Sequence, residues 1–213
     1  MFKVLFFDLG GVVFYDFFSG GIQKFVQVLN LPKQKIYTAY VKTDFVDYFE
    51  GRLSDYKRFK AMTDKLNLGQ DKVQVCIDAF YKEYHPVNET ISFIKKIKIT
   101  FPELKVGVLS DQPAGVCKML RKKYPQVFKL FNKDILLISA EVGLSKQAEN
   151  LDFYKLAIKK AKVKPTEILF IDNFQRNIIN AKKLGFKTFF FDIENIKASN
   201  LVNKLAKVMK NDH

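Results

Sequence analysis

Five short runs, VLFF, VGVL, ILLI, ILFI and TFFF, are almost unbroken in hydrophobic residues. A strand covered on one face alternates apolar and polar residues, whereas a strand covered on both faces reads as a continuous apolar run. The runs therefore predict buried strands over Lys3–Asp8, Lys105–Ser110, Asp134–Ser139, Glu167–Asp172 and Lys187–Phe191. Helices are expected over Glu89–Lys98, Pro113–Lys123, Asn150–Ala161, Phe174–Leu184 and Ala198–Met209, with Gly185 ending the fourth. Alternation of this kind implies an α/β fold, a doubly wound parallel sheet joined by right-handed crossovers.

The rhythm breaks once. Residues 16–86 contain no strand-like run and read as four helices, Gly21–Leu29, Lys33–Val46, Ser54–Leu66 and Gln70–Tyr84. Gly20-Gly21, Pro32, Gly51 and Gly69 punctuate them. The expected organisation is an α/β core of residues 1–15 and 87–213 with a helical insertion of residues 16–86. A structureless loop of that length is improbable in a compact domain.

At 213 residues the chain is long enough to bury a core without staples. Lysine and arginine exceed aspartate and glutamate by 36 to 22, a net charge of +14. The arginines are only Arg52, Arg58, Arg121 and Arg176, and the lysines are spread over every expected helix. Nucleic-acid sites favour arginine forks, so the excess is read as solvated surface that also attracts anionic small molecules. No apolar stretch is long enough to span a membrane. Cys76 and Cys117 stand far apart in sequence, and the start shows no secretory signal, so a reducing, cytoplasmic location is expected.

Several chemistries lack their residues. There is no G-x-G-x-x-G, no P-loop, no H-E-x-x-H and no G-x-S-x-G, and the only histidines are His85 and His213. Ligands of open α/β sheets bind beyond the carboxyl ends of the strands. There the first strand ends in Asp8, the second in Ser110 and the fourth in Asp172, and the loop after the third carries Lys146. Two carboxylates, a hydroxyl and an ammonium are thus expected to face one crevice.

The run FFDLGGVVF resembles the first motif of the haloacid dehalogenase (HAD) superfamily in its D-x-G-G-V form. VGVLSD, EVGLSK and ILFIDN follow in the superfamily's order, and YFEGRLSDYKRF resembles a recurrent segment of its helical caps. The resemblance covers essentially the whole chain. It implies a Rossmann-like core with an inserted four-helix cap that closes over the site. It also implies a Mg²⁺-dependent phosphomonoester hydrolase acting on a small phosphorylated metabolite, with a sugar phosphate as the commonest class. In that reading Asp8 is the nucleophile and forms an aspartyl-phosphate. Asp8, the Gly10 carbonyl, Asp172 and Asn173 hold the metal, a hard ion that takes oxygen ligands. Ser110, the N–H of Asp111 and the Gly11 backbone receive the phosphate, and Lys146 neutralises charge. Tyr40, Tyr48 and Arg52 are candidate substrate contacts on the cap.

Four positions depart from the pattern. Gly10 stands where the superfamily usually has the aspartate that serves as general acid and base, and losing such a group costs about 10²–10⁴ in rate. The leaving group could need little protonation, another residue (Asp111, Asp16 or a cap side chain) could stand in, or the chain could bind a phosphorylated ligand or partner protein without efficient turnover. Asn173 replaces a second aspartate, Gln147 replaces the proline after the motif lysine, and Asp111 stands where asparagine is common. Dehalogenating members use an arginine near the first motif, and none lies there in this sequence.

Overall fold

The computed structural model describes residues 2–193. The expected helix Ala198–Met209 and His213 lie outside the described residues. The five hydrophobic runs form β1 (Val4–Phe7), β2 (Lys105–Ser110), β3 (Leu136–Ile138), β4 (Ile168–Asp172) and β5 (Lys187–Phe190). All pair in parallel, in the order β3-β2-β1-β4-β5. This is the Rossmann-like doubly wound sheet the sequence predicts.

The register explains why a site forms at one edge of the sheet. Val4 pairs with Lys105 on one side and Ile168 on the other, and Phe7 pairs with Val108 and Ile171. The carboxyl ends of β1, β2 and β4 therefore lie side by side. The chain first builds outward from β1 through β2 and β3, then crosses back to place β4 on the other side. That reversal opens a crevice at the end of β1, where no crossover helix covers it.

Eleven helices are described. In the insertion they are α1 (Ile22–Leu29), α2 (Lys33–Val41), α3 (Phe45–Phe49), α4 (Asp55–Lys65) and α5 (Asp71–Lys82). A kinked π-type turn over Phe17–Gly21 precedes them. The core carries α6 (Asn88–Thr100), α7 (Ala114–Lys123), α8 (Pro125–Phe128), α9 (Ser139–Val142), α10 (Asp152–Ala161) and α11 (Gln175–Lys183). The helix expected over Lys33–Val46 is in fact two. Thr43 Oγ1 donates to the Ala39 carbonyl at 2.6 Å, and the Lys65 ammonium takes the Lys42 carbonyl. Side chains thus satisfy the carbonyls at the end of α2, and the chain turns before α3.

Strand side chains alternate between two apolar clusters. Val4, Phe6, Leu109, Ile168 and Phe170 pack with Phe153, Tyr154, Ala157 and Ala161 of α10 and Ala181 of α11. Leu5, Phe7, Val106, Val108, Leu169 and Ile171 face the other way. They share a cluster with Phe93 and Ile94 of α6, Val116 and Leu120 of α7, and Phe25, Tyr40, Phe59 and Phe80 of the insertion. The insertion has no separate core of its own.

Its two crossings to the sheet run side by side. The Tyr15 N–H donates to the His85 carbonyl at 2.9 Å, the Val87 N–H donates to the Val13 carbonyl at 2.8 Å, and Phe14 bridges Pro86. Tyr15 stacks on His85 with ring centroids 4.4 Å apart. The insertion also touches the core at a distance from these crossings. A Cβ on Gly51 would meet the Ala140 carbonyl of α9 at 2.9 Å, and Phe18 meets the Phe174 ring edge-on at 5.2 Å. Among the described residues no helix is long and apolar enough to cross a membrane.

Candidate active site

Asp8 follows β1 directly, and its N–H donates to the Ile171 carbonyl at 2.9 Å, which fixes its backbone against β4. Its Oδ1 accepts from the Ser110 hydroxyl at 2.5 Å and from the Leu9 N–H at 2.8 Å. Its Oδ2 lies 2.9 Å from the Lys146 ammonium. The same ammonium lies 2.7 Å from Oδ2 of Asp172 at the end of β4. Three strand ends and one loop thus deliver Asp8, Ser110, Asp172 and Lys146 to a single hydrogen-bonded group, and Lys146 is only 1% exposed.

This arrangement balances charge in a dry place. Burial pushes the Asp8 carboxyl up; Lys146 pulls it down and Asp172 pushes it up again. Burial also works against the Lys146 ammonium, but Asp172 and then Asp8 more than offset that, so its proton is held beyond the usual lysine range. Burial wins at Asp8, whose carboxyl is held above the usual range beside a firmly charged lysine. Asp172 is held from every side. Asn177 Nδ2 donates to both its oxygens at 3.1 and 3.0 Å, and the Phe174 N–H donates to Oδ1 at 2.7 Å.

Asp111 has a different task from its neighbour Ser110. Its carboxylate turns to the loop after β3 and accepts from the Ser145 hydroxyl at 3.1 Å, the Lys146 N–H at 2.9 Å and Gln147 Nε2 at 3.4 Å. It fixes the backbone that carries Lys146. Gln147, which stands in the proline position, also ties that loop to Arg176, whose guanidinium donates to the Gln147 carbonyl at 2.8 Å. Gly11 has φ +70°, and the Asn173 amide lies against the face where a side chain would begin. Both the turn and the close approach require glycine.

Above the group lies a cavity of about 370 Å³. Asp8, Gly10, Asp111 and Lys146 form its floor, with Asp16, Gln112, Gln147, Arg176 and Asn177 around it. The insertion supplies aromatic walls: Phe17, Phe18, Tyr37, Tyr40, Phe45, Phe49, Phe80 and Tyr84. Tyr40 therefore lines the cavity as expected, but Tyr48 and Arg52 do not. Tyr48 is fully buried and donates to Asp55 at 2.6 Å, while Arg52 is exposed and paired with Asp47 at 2.5 Å and with Glu50. The arginine behind the wall is Arg58, which is fully buried, with its guanidinium 4.6 Å from the Tyr40 ring centre and 5.6 Å from that of Phe45. Those faces supply a cation–π contact in place of a carboxylate.

Sequence reasoning missed Gln112, Asn177 and Arg176 as site residues. Each follows a strand-end motif by one to five positions, in the loop or first helical turn that folds back over the strand. That offset is the signal that could have found them. Asp16 was one of three open candidates for a stand-in acid. It is 7% exposed, and its Oδ1 accepts from the Ser19 N–H and hydroxyl, both at 2.8 Å. Burial pushes its carboxyl up, and the Ser19 bonds pull it down.

No protein-family model matches the sequence. Solved structures do match. The chain superimposes on a HAD family enzyme of Bacteroides thetaiotaomicron in complex with magnesium and inorganic phosphate. The TM-score is 0.70 at 20% identity over 94% of this chain and 99% of that one. The chain has the haloacid dehalogenase-like fold. A predicted HAD-like family hydrolase from Porphyromonas gingivalis matches with a TM-score of 0.70 at 22% identity, over 97% of this chain and 98% of that one. The L-2-haloacid dehalogenase of Xanthobacter autotrophicus matches at 0.64 and 17% identity, over 97% and 83%. Members of this fold thus include both phosphate-bound enzymes and dehalogenases.

The residues of this HAD-like site fit a magnesium ion. Asn173 Oδ1 is buried with no hydrogen-bond partner, the state of an oxygen that awaits a cation or a water. Asp8 and Asp172 bring two carboxyl groups, oxygen donors of the kind a hard cation takes, to the single ammonium of Lys146. Among the described residues no three or more Asp, Glu, His or Cys gather into a metal cluster. Magnesium does not need one, since it binds through one or two carboxylates with water and substrate phosphate.

Proposed function

We propose that the protein is a Mg²⁺-dependent phosphomonoester hydrolase that acts on a small phosphorylated metabolite through an aspartyl-phosphate on Asp8. The observation that carries this reading is the Lys146 ammonium held between Asp8 and Asp172 on the floor of the cavity. The phosphate and magnesium bound by the Bacteroides enzyme of the same fold support the same two ligands here. The cavity volume suits a small substrate.

In this reading Asp8 attacks phosphorus with its carboxylate and displaces the alcohol. Ser110, now bonded to Asp8, and the N–H of Asp111 hold phosphate oxygens, while the Asp111 carboxylate keeps the Lys146 loop in place. Lys146 neutralises charge on Asp8 and on the transferring group, and it does so strongly because the site is dry. Bound Mg²⁺, held by Asp8, the Gly10 carbonyl, Asp172 and Asn173, would shield the nucleophile from the phosphate's negative charge. The insertion acts as a cap whose aromatic walls exclude water and stack against the organic part of the substrate. The buried, unpaired thiols of Cys76 and Cys117 support a reducing compartment, the cytoplasm.

The test is Mg²⁺-dependent hydrolysis of 4-nitrophenyl phosphate by the wild type and by Asp8→Asn. Its leaving group departs without protonation, so the first step does not need the acid that Gly10 lacks. Turnover in the wild type alone is expected. Equal turnover in Asp8→Asn would refute the nucleophile, and a folded, magnesium-supplied wild type without turnover would leave a phosphate-binding protein.

A further inference from the structure

Gly10 removes the usual acid and base from its position, yet the space that side chain would occupy is filled. A Cβ built on Gly10 would stand 2.5 Å from Asp16 Oδ2 and 2.9 Å from Gln112 Nε2. Gly10 does not have a positive φ, so its backbone would accept a side chain. What excludes one is the Asp16 carboxylate. Asp16 lines the same cavity as Asp8 and Lys146. It is also held rigidly. Its N–H donates to the Ser19 hydroxyl at 2.6 Å, and that hydroxyl and the Ser19 N–H both donate to Oδ1. This reciprocal cap at the head of the π-type turn orients the carboxylate and leaves Oδ2 toward Gly10.

We infer that Asp16 supplies the general acid and base that Gly10 cannot, from the first residues of the insertion instead of from the β1 loop. The inference rests on the phosphatase reading above. In the first step an Asp8 oxygen bonds to phosphorus, the bond from phosphorus to the ester oxygen breaks, and the Asp16 proton passes to that oxygen to release the alcohol. In the second step Asp16, now a carboxylate, takes a proton from water as the water oxygen bonds to phosphorus. The bond between Asp8 and phosphorus breaks, inorganic phosphate leaves, and both aspartates return to their starting forms. Gly10 is then a requirement of the design, because any side chain there would displace Asp16.

The experiment compares 4-nitrophenyl phosphate, whose leaving group needs no acid, with benzyl phosphate, whose alkoxide does. Asp16→Asn keeps an oxygen to accept the Ser19 bonds. It is expected to release the first equivalent of nitrophenolate at the wild-type rate, then turn over about 10²–10⁴-fold more slowly because the second step lacks its base. Its first turnover of benzyl phosphate is expected to fall by a similar factor. Wild-type turnover of benzyl phosphate by Asp16→Asn would overturn the inference, as would equal loss of both first turnovers. A second pair guards against a folding defect. Asp16→Gly is expected to lose benzyl phosphate turnover, and adding Gly10→Asp to it should restore most of that turnover from the relocated carboxylate. A double variant no better than Asp16→Gly would overturn the inference. A wild type inactive on both substrates would refute the phosphatase reading itself.

Discussion

One ammonium shared by two buried carboxylates carries opposite predictions for its partners. Lys146→Met leaves Asp172 without its counter-charge in a dry site and removes the partner of Asp8. Removing one partner of a buried pair costs about 3–5 kcal/mol, and a loss of that size is expected from urea unfolding at neutral pH. Asp8→Asn has the other sign, since Lys146 keeps Asp172 at 2.7 Å. Burial pushes the Asp8 carboxyl from 3.8 to about 8, despite Lys146. A carboxyl raised on folding holds its proton more tightly in the folded state, so its ionisation weakens folding as pH climbs from about 4 to about 8. The stability of Asp8→Asn relative to the wild type should therefore rise across that window in metal-free buffer. Parallel pH profiles for the two proteins would contradict this. Asp8, Ser110 and Asp172 were legible as site residues because a strand end fixes where they point. Asp16 could be named only as one of three open candidates. A separation of eight residues from Asp8 across the turn at residues 11–13 says nothing about where the carboxylate lands.

Among the elements, all five strands were legible because each run is unbroken, although β5, expected to be buried, lies at the sheet edge with Phe190 46% exposed. Four helices of the core, α6, α7, α10 and α11, were legible within a few residues, while the short α8 and α9 were not. The insertion was less so. Lys33–Val46 keeps helical periodicity through Lys42–Asp44, and only Thr43 and Lys65, bonding to carbonyls from other turns, divide α2 from α3. The break matters, because it brings Phe45, Val46 and Phe49 to the cavity alongside Tyr37 and Tyr40. Tyr37 is 40% exposed, so it can be truncated without opening the core, while Phe45 is half-buried and also faces Arg58. Tyr37→Ala and Phe45→Ala should each raise KM for an aryl phosphate several-fold, the equivalent of about 0.5–1.5 kcal/mol per aromatic contact. Inhibition by inorganic phosphate, which lacks the ring, should be unchanged. Equal weakening of both would place these residues in phosphate binding instead of ring recognition.

At the scale of the molecule, the insertion shares one apolar cluster with one face of the sheet. Such continuity predicts cooperative unfolding. Six of the nine tyrosines lie in residues 16–86, so tyrosine fluorescence reports mainly on the insertion. Its urea transition should coincide with that of far-ultraviolet circular dichroism, and an earlier fluorescence transition would show an insertion that melts alone. The central claim remains chemical, that Asp8 carries the phosphoryl group between the two halves of the reaction. The most direct measurement is mass spectrometry of wild-type protein acid-quenched during steady turnover of 4-nitrophenyl phosphate, with the modified peptide mapped. The account predicts one phosphoryl group, on Asp8, absent without Mg²⁺ and absent in Asp8→Asn. Turnover with no modified peptide, or with the phosphoryl group on any other residue, would contradict it.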